Sequence, residues 1–257
     1  MESNLTHAEL LELLRWQFEL GVTETIGEEP VNRYKLVQEK KDYPSKSSSL
    51  KKPQPSADPI SLAKLAADSS ESLKDLNIAL ERFEHCDLRE GSRNLVFSDG
   101  NCKARVMVIG EAPGREEDKT GKPFVGPAGQ LLDKMFKAIG YERFSEDKPL
   151  YITNVVPWRP PQNRTPTEGE INLLKPFIMK HIDLIKPEVI VLMGNTPCQA
   201  LLGKSGITKL RGQWTKFSDY HVLPMFHPAY LLRNPSAKKE AWEDLKMLKK
   251  KLGESQQ

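Results

Sequence analysis

Four short, largely apolar runs rich in Val, Ile, Leu and Met stand out from an otherwise mixed chain: residues 106–109, 151–156, 189–193 and 221–225. Apolar character sustained over so few residues predicts strands covered on both faces, as in a parallel sheet with helices on either side. Between and around the runs the apolar positions change to helical spacing. Leu73, Leu76, Leu80 and Phe83 form one stripe before the first run, and Leu131, Leu132, Met135, Phe136 and Ile139 form another after it. Trp242, Leu245, Leu248 and Leu252 make a last stripe opposite a lysine-rich face. Thr165-Pro166-Thr167-Glu168 predicts a helix start with Thr165 as cap, Pro166 at the first position and Glu168 at the third. Strands alternating with helices predict an α/β fold, a three-layer α/β/α sandwich around a central four-stranded parallel sheet.

Ahead of this pattern, Thr6 and Glu9 have the form of a capping box, followed by Leu10, Leu13, Leu14, Phe18 and Leu20 at helical spacing. Residues 1–39 are therefore expected to be an N-terminal helical extension. Residues 40–60 turn to Lys, Ser and Pro, including Ser47-Ser48-Ser49 and prolines 44, 53, 55 and 59, and read as a linker. Its lysines could touch phosphate, but a solvated tether is the simpler reading. Residues 61–257 form the main domain.

Composition narrows the function classes only partly. A length of 257 residues suits one sizeable α/β domain with an extension. With 38 Lys+Arg against 35 Asp+Glu the net charge is +3, so any nucleic-acid surface must be local. Three cysteines without a CxxC pair argue against a disulfide framework and for a reducing, cytoplasmic home. Acids among the first leucines exclude a signal peptide, and no run reaches the length of a membrane span, so no membrane partner is expected.

Candidate chemistry gathers at the ends of the predicted strands. Glu111 follows the first in Gly110-Glu111-Ala112-Pro113-Gly114, Asn154 lies at the end of the second, Gly194-Asn195 follows the third and His227-Pro228 the fourth. The carboxyl ends of neighbouring parallel strands lie side by side, so these groups can converge on one pocket. A carboxylate, an amide and an imidazole suit an uncharged polar ring, and Phe124 could add a flat apolar wall. Taken singly, each residue has an ordinary structural explanation as a cap, a turn residue or core.

Taken together, the motifs carry a resemblance. The segment from Gly110-Glu111-Ala112-Pro113-Gly114 through Glu117-Asp118 and Gly121-Lys122-Pro123-Phe124-Val125-Gly126-Pro127-Ala128-Gly129 strongly resembles the first motif of the family 4 uracil-DNA glycosylases. Tyr151-Ile152-Thr153-Asn154-Val155-Val156 with Arg159-Pro160-Pro161 and Asn163-Arg164 is similar to the second. His227-Pro228-Ala229-Tyr230-Leu231-Leu232-Arg233 looks like the last. The resemblance runs from about Phe83 to the final helix, in order and spacing.

It implies a DNA repair enzyme that flips uracil out of single- or double-stranded DNA and hydrolyses its N-glycosidic bond, leaving an abasic site. By resemblance Phe124 stacks on uracil, the Asn154 amide pairs with its O4 and N3–H edge, His227 hydrogen-bonds O2, and Gly110 and Ala112 frame the base. Glu111 and Glu117 are the carboxylates expected near water and sugar, with Glu117 also a candidate for excluding the thymine methyl. Leu231, Leu232 and Arg233 are expected to wedge the duplex and hold phosphate, with Arg159, Arg164 and Arg211 as further phosphate contacts. Family members carry a 4Fe–4S cluster on four cysteines; here those positions fall at Phe83, Cys86, Trp158 and about Leu174. One thiolate cannot hold a cluster, so no cofactor and no metal are expected. The expected form is a monomer of prokaryotic type associated with the nucleoid, with an unknown partner open for the N-terminal helix. Two alternatives stay open: a binding module for uracil or abasic DNA that no longer cleaves, and a glycosylase with broader deaminated-base specificity.

Overall fold

A computed structural model describes residues 58–254. The helix expected after Thr6 and residues 40–57 of the expected linker lie outside the described residues. In chain order the elements are α1 (Pro59–Asp68), α2 (Leu73–Arg82), β1 (Asp99–Gly100), β2 (Val106–Gly110), α3 (Arg115–Thr120), α4 (Pro127–Lys137), β3 (Leu150–Asn154), α5 (Glu168–Ile185), β4 (Val189–Met193), α6 (Asn195–Leu202), α7 (Ile207–Leu210), β5 (Thr215–Phe217), β6 (Tyr220–Met225), α8 (Pro228–Arg233) and α9 (Lys238–Glu254).

The four apolar runs form the expected parallel core, in the order β3-β2-β4-β6. The sheet is larger than predicted, because β1 and β5 add antiparallel edges to make six strands. Both edge strands are short and only partly buried, so neither has the continuous apolar signature that marked the core. From β2 the chain steps to β3 on one side and then crosses to β4 on the other. The crevice between the ends of β2 and β4 is therefore a topological switch point.

Alternate residues of the core strands feed two apolar layers. Met107, Ile109, Tyr151, Ile190 and Leu192 face one cluster, shared with buried residues of α1, α2, α5 and α6. Val106, Val108, Ile152, Val191 and Leu223 face the other, shared with α4, α8 and α9. This is the three-layer sandwich.

Local expectations shift in three places. Helix α1 begins at Pro59, inside the expected linker, because proline suits the first turn of a helix. In α9, Ala241 joins Leu245, Leu248 and Leu252 on the buried face while Trp242 is exposed. The start of α5 lies two residues later than predicted. Thr167 is the cap, its Oγ1 accepting the Glu170 amide while the Glu170 carboxylate accepts the Thr167 amide. Both registers satisfy the local rule; the Glu170 carboxylate also takes both Arg164 Nη groups, at 2.9 and 2.6 Å, which favours the later one.

One buried polar pair ties β3 to α5. The Tyr151 hydroxyl lies 2.5 Å from His181 Nε2, and the imidazole stacks on Phe97 at 4.5 Å between centroids. Burial holds the His181 pKa down at about 3. An unfolded histidine titrates near 6.5, so between about pH 6.5 and 3 the unfolded chain binds a proton that the folded one does not. The stability contribution is full above that window and is lost as pH falls through it, by ~1.4 kcal/mol per pH unit. Urea melts at pH 6.5 and pH 5 should show the native protein losing about 2 kcal/mol more than His181→Gln over this interval. Equal losses would mean that His181 does not titrate on unfolding.

Candidate active site

The strand ends open into a cleft of about 560 Å³. Glu111, Ala112, Glu117, Phe124, Asn154 and His227 all line it, as do Arg164 and Arg233. The convergence expected from the sequence therefore occurs. Met193, Phe226 and Tyr230, which the sequence reading did not single out, complete the apolar walls.

Gly110 lies beneath the cleft. A Cβ there would come within 2.3 Å of Asn154 Oδ1 and 2.6 Å of the Phe124 ring, so the strand end must be glycine for the amide and the ring to meet. Asn154 is paired in register with Gly110 and is 5% exposed. None of the described residues hydrogen-bonds its carboxamide, which lines the cleft. An amide so placed has a donor and an acceptor available for a ligand.

His227 caps α8. Its Nδ1 accepts the Ala229 amide at 3.1 Å, so the neutral ring carries its proton on Nε2. Desolvation, aided by the positive charge of Arg233 and opposed by Glu117, lowers its pKa to about 4. The ring is a neutral donor at physiological pH. It lies 5.4 Å from the Phe124 ring, centroid to centroid, with 29° between the planes.

The two carboxylates are held differently. Glu111 Oε2 accepts the Thr196 hydroxyl at 2.5 Å, a bond across the β2–β4 crevice, which leaves Oε1 for another partner. Thr196 is buried in the first turn of α6, and no strand-end rule pointed to it. Glu117 serves the backbone: Oε2 accepts the Gly114 amide at 3.1 Å, and Oε1 accepts those of Val125 and Gly126 at 3.0 and 2.9 Å. Asn195 is likewise structural, its Oδ1 accepting the Gly206 and Ile207 amides.

The expected DNA contacts divide. Leu232 is 45% exposed, but Leu231 is 1% exposed and packs in the core, because only one of two adjacent residues on the short α8 can face outward. Arg233 is exposed at the cleft. Arg211 is not available to phosphate: its guanidinium is paired with Asp244 and Glu240 and lies over the Phe226 ring. Arg164 is exposed but forks onto Glu170, and Arg159 Nε donates to Asn163 Oδ1.

Residues 97–246 match the family described as the uracil DNA glycosylase superfamily. The chain is 45% identical over 156 residues to the type-4 uracil-DNA glycosylase of Thermotoga maritima, spanning 59% of this chain and 78% of that protein. It is 41% identical over 192 residues to the type-4 enzyme of Sulfurisphaera tokodaii, covering 71% and 84% of the two chains. With that of Archaeoglobus fulgidus it shares 36% over 197 residues, covering 72% and 96%.

The three amide bonds to Glu117 generate a test that is independent of function. Glu117→Gln replaces one carboxylate oxygen with a donor facing backbone N–H groups. Thermal or urea denaturation should show a loss of about 1.5–3 kcal/mol. An unchanged midpoint would mean that this carboxylate does not hold the loops.

Proposed function

The chain belongs to the type-4 uracil-DNA glycosylases of the uracil DNA glycosylase superfamily, and from that premise we propose how its own residues carry the reaction. It is a DNA repair enzyme that hydrolyses the N-glycosidic bond of uracil in DNA and leaves an abasic site. A base stacked in a duplex is out of reach, so the nucleotide is flipped into the cleft. The ring stacks on Phe124. Asn154 donates from Nδ2 to uracil O4 and accepts N3–H at Oδ1; cytosine presents the opposite pattern and is refused.

As the bond breaks, the departing base gains negative charge. His227 Nε2–H donates to O2, a bond that strengthens as the charge grows and so favours the transition state over the ground state. Because Nδ1 is already engaged with the Ala229 amide, the donor is oriented before substrate arrives. Glu111, with one oxygen on Thr196, uses the other to orient the attacking water and to favour the positive charge developing on the sugar. Glu117 stays on its amides and narrows the cleft against the thymine methyl. Leu232 fills the gap left in the stack, while Arg233 and Arg159 meet phosphate.

The observation that carries this reading is the pair of open hydrogen-bonding groups, the Asn154 carboxamide and His227 Nε2, in one cleft beside the Phe124 ring. The same open pair would serve a uracil-binding module, and it is the relatedness to enzymes named uracil-DNA glycosylases that favours excision over the alternatives. With alkali treatment after incubation, oligonucleotides carrying one uracil should be cut at that site. Asn154→Ala and His227→Ala should each lower the single-turnover rate by about 100- to 1,000-fold, with the fold retained and His227→Ala destabilised by no more than the loss of its α8 cap, about 1 kcal/mol. Rates within a few-fold of native would remove these residues from the pocket chemistry.

The family's cluster does not fit this chain. Phe83, Cys86, Trp158 and Leu174 are all buried in one apolar layer, and burial pushes the Cys86 thiol up, against the thiolate a ligand needs. Cys102 is exposed, Cys198 is buried in the same layer on α6, and no group of three or more metal-binding side chains occurs among the described residues. In our reading, apolar packing takes the place of the cluster. Iron and acid-labile sulfide in protein purified without oxygen should be far below one cluster per chain; stoichiometric amounts would overturn this. No helix among the described residues is long and apolar enough to cross a membrane. The DNA substrate and unpaired cysteines support a cytoplasmic, nucleoid-associated place of action.

A further inference from the structure

The stacking ring sits on an unusual piece of backbone. Phe124 has φ 55°, in the left-handed region that an aromatic residue does not hold on its own account. Its surroundings hold the peptide that follows it at both ends. The Phe124 carbonyl accepts Arg143 Nη2 at 2.5 Å, while the amide of Val125 on the same peptide donates to Glu117 Oε1 at 3.0 Å. One peptide is thus clamped between a cation and an anion. Gly129 closes the remaining side: a Cβ there would lie 1.7 Å from the Phe124 carbonyl oxygen, so the first turn of α4 lies directly against it.

Arg143 is fixed in turn. Its side chain is 11% exposed, and every guanidinium nitrogen is engaged. Nη1 donates to Asp99 Oδ2 at 2.8 Å and to the Pro123 carbonyl at 2.9 Å, and Nε donates to Asp133 Oδ1 at 2.9 Å. Two consecutive carbonyls, those of Pro123 and Phe124, are therefore gripped by one rigid fork whose charge is balanced by Asp99 and Asp133. Lysine could not reproduce this, because an ammonium lacks the planar, two-pronged geometry. Arg143 does not line the cleft and lies outside the motifs that carry the family resemblance.

We infer that Arg143 is a positioning residue for excision, which with Glu117 holds the Phe124 peptide in its left-handed conformation and so keeps the ring against Gly110 and His227, where the base stacks. This rests on the reading of Phe124 as the stacking wall. A purely structural Arg143, tying β1 to α4 through Asp99 and Asp133, would slow excision equally whether or not Phe124 is present. A positioning Arg143 acts only through the ring.

The two cases separate in a double-mutant cycle on single-turnover excision from a uracil oligonucleotide. It is run in an Asp99→Asn background, so that removing the arginine strands no buried carboxylate. In that background Arg143→Met should slow excision about 10- to 100-fold, but less than about 3-fold when Phe124→Ala is also present. Equal slowing in both, or no slowing, overturns the inference. If Phe124→Ala alone leaves the rate unchanged, the stacking reading itself fails, whatever Arg143 does. Should Arg143→Met not fold, Arg143→Lys decides: a melting temperature near native with the rate down about 10-fold supports positioning, and a native rate overturns it.

Discussion

A carboxylate that holds backbone rather than substrate organises this site. Glu117 collects amides from two separate loops, Gly114 on one and Val125 and Gly126 on the other, and lines the cleft with Gly114 and Phe124. Loops at the end of a sheet have no ladder to satisfy their amides, so an ionised side chain with several lone pairs is an efficient substitute. Phe124 depends on this directly, since the amide following it is one of the three. The ring in turn can lie over the strand end only because residue 110 is glycine.

Around that frame the electrostatics are arranged to keep the donor neutral and the carboxylates separate. His227 is desolvated and lies near Arg233, both of which disfavour an imidazolium. In the reaction we propose, such a neutral donor beside the departing base adds stabilisation as negative charge grows, with little attraction for the uncharged ground state. Glu111 is tethered to Thr196 across the switch-point crevice, so its position depends on two strands adjacent in space and far apart in sequence.

Two of the arginines at and around the cleft are committed to carboxylates. Arg211 is neutralised by Asp244 and Glu240 of α9, and Arg164 by Glu170 at the start of α5. An arginine read as a phosphate contact from a motif alone is thus easily reassigned once its distant acids are known. In the layer shared with α1, α2, α5 and α6, the bulky side chains of Phe83, Trp158 and Leu174 are buried together and continue the apolar core.

The sequence by itself determined the parallel core strands, the helical stripes between them and the gathering of Glu111, Asn154 and His227 at the strand ends. Those features follow from local periodicity and from the rule that parallel strands present their carboxyl ends together. Tertiary structure decided what local rules leave degenerate. Thr165 and Thr167 are equally good caps until Glu170 takes Arg164; Leu231 and Leu232 are equally apolar until the core claims one. Thr196 and Arg143 were invisible because their partners, Glu111 and the Phe124 carbonyl, are 85 and 19 residues away. Hydrogen bonds over such separations depend on where folding brings the chain back, and no pattern of neighbouring residues encodes that.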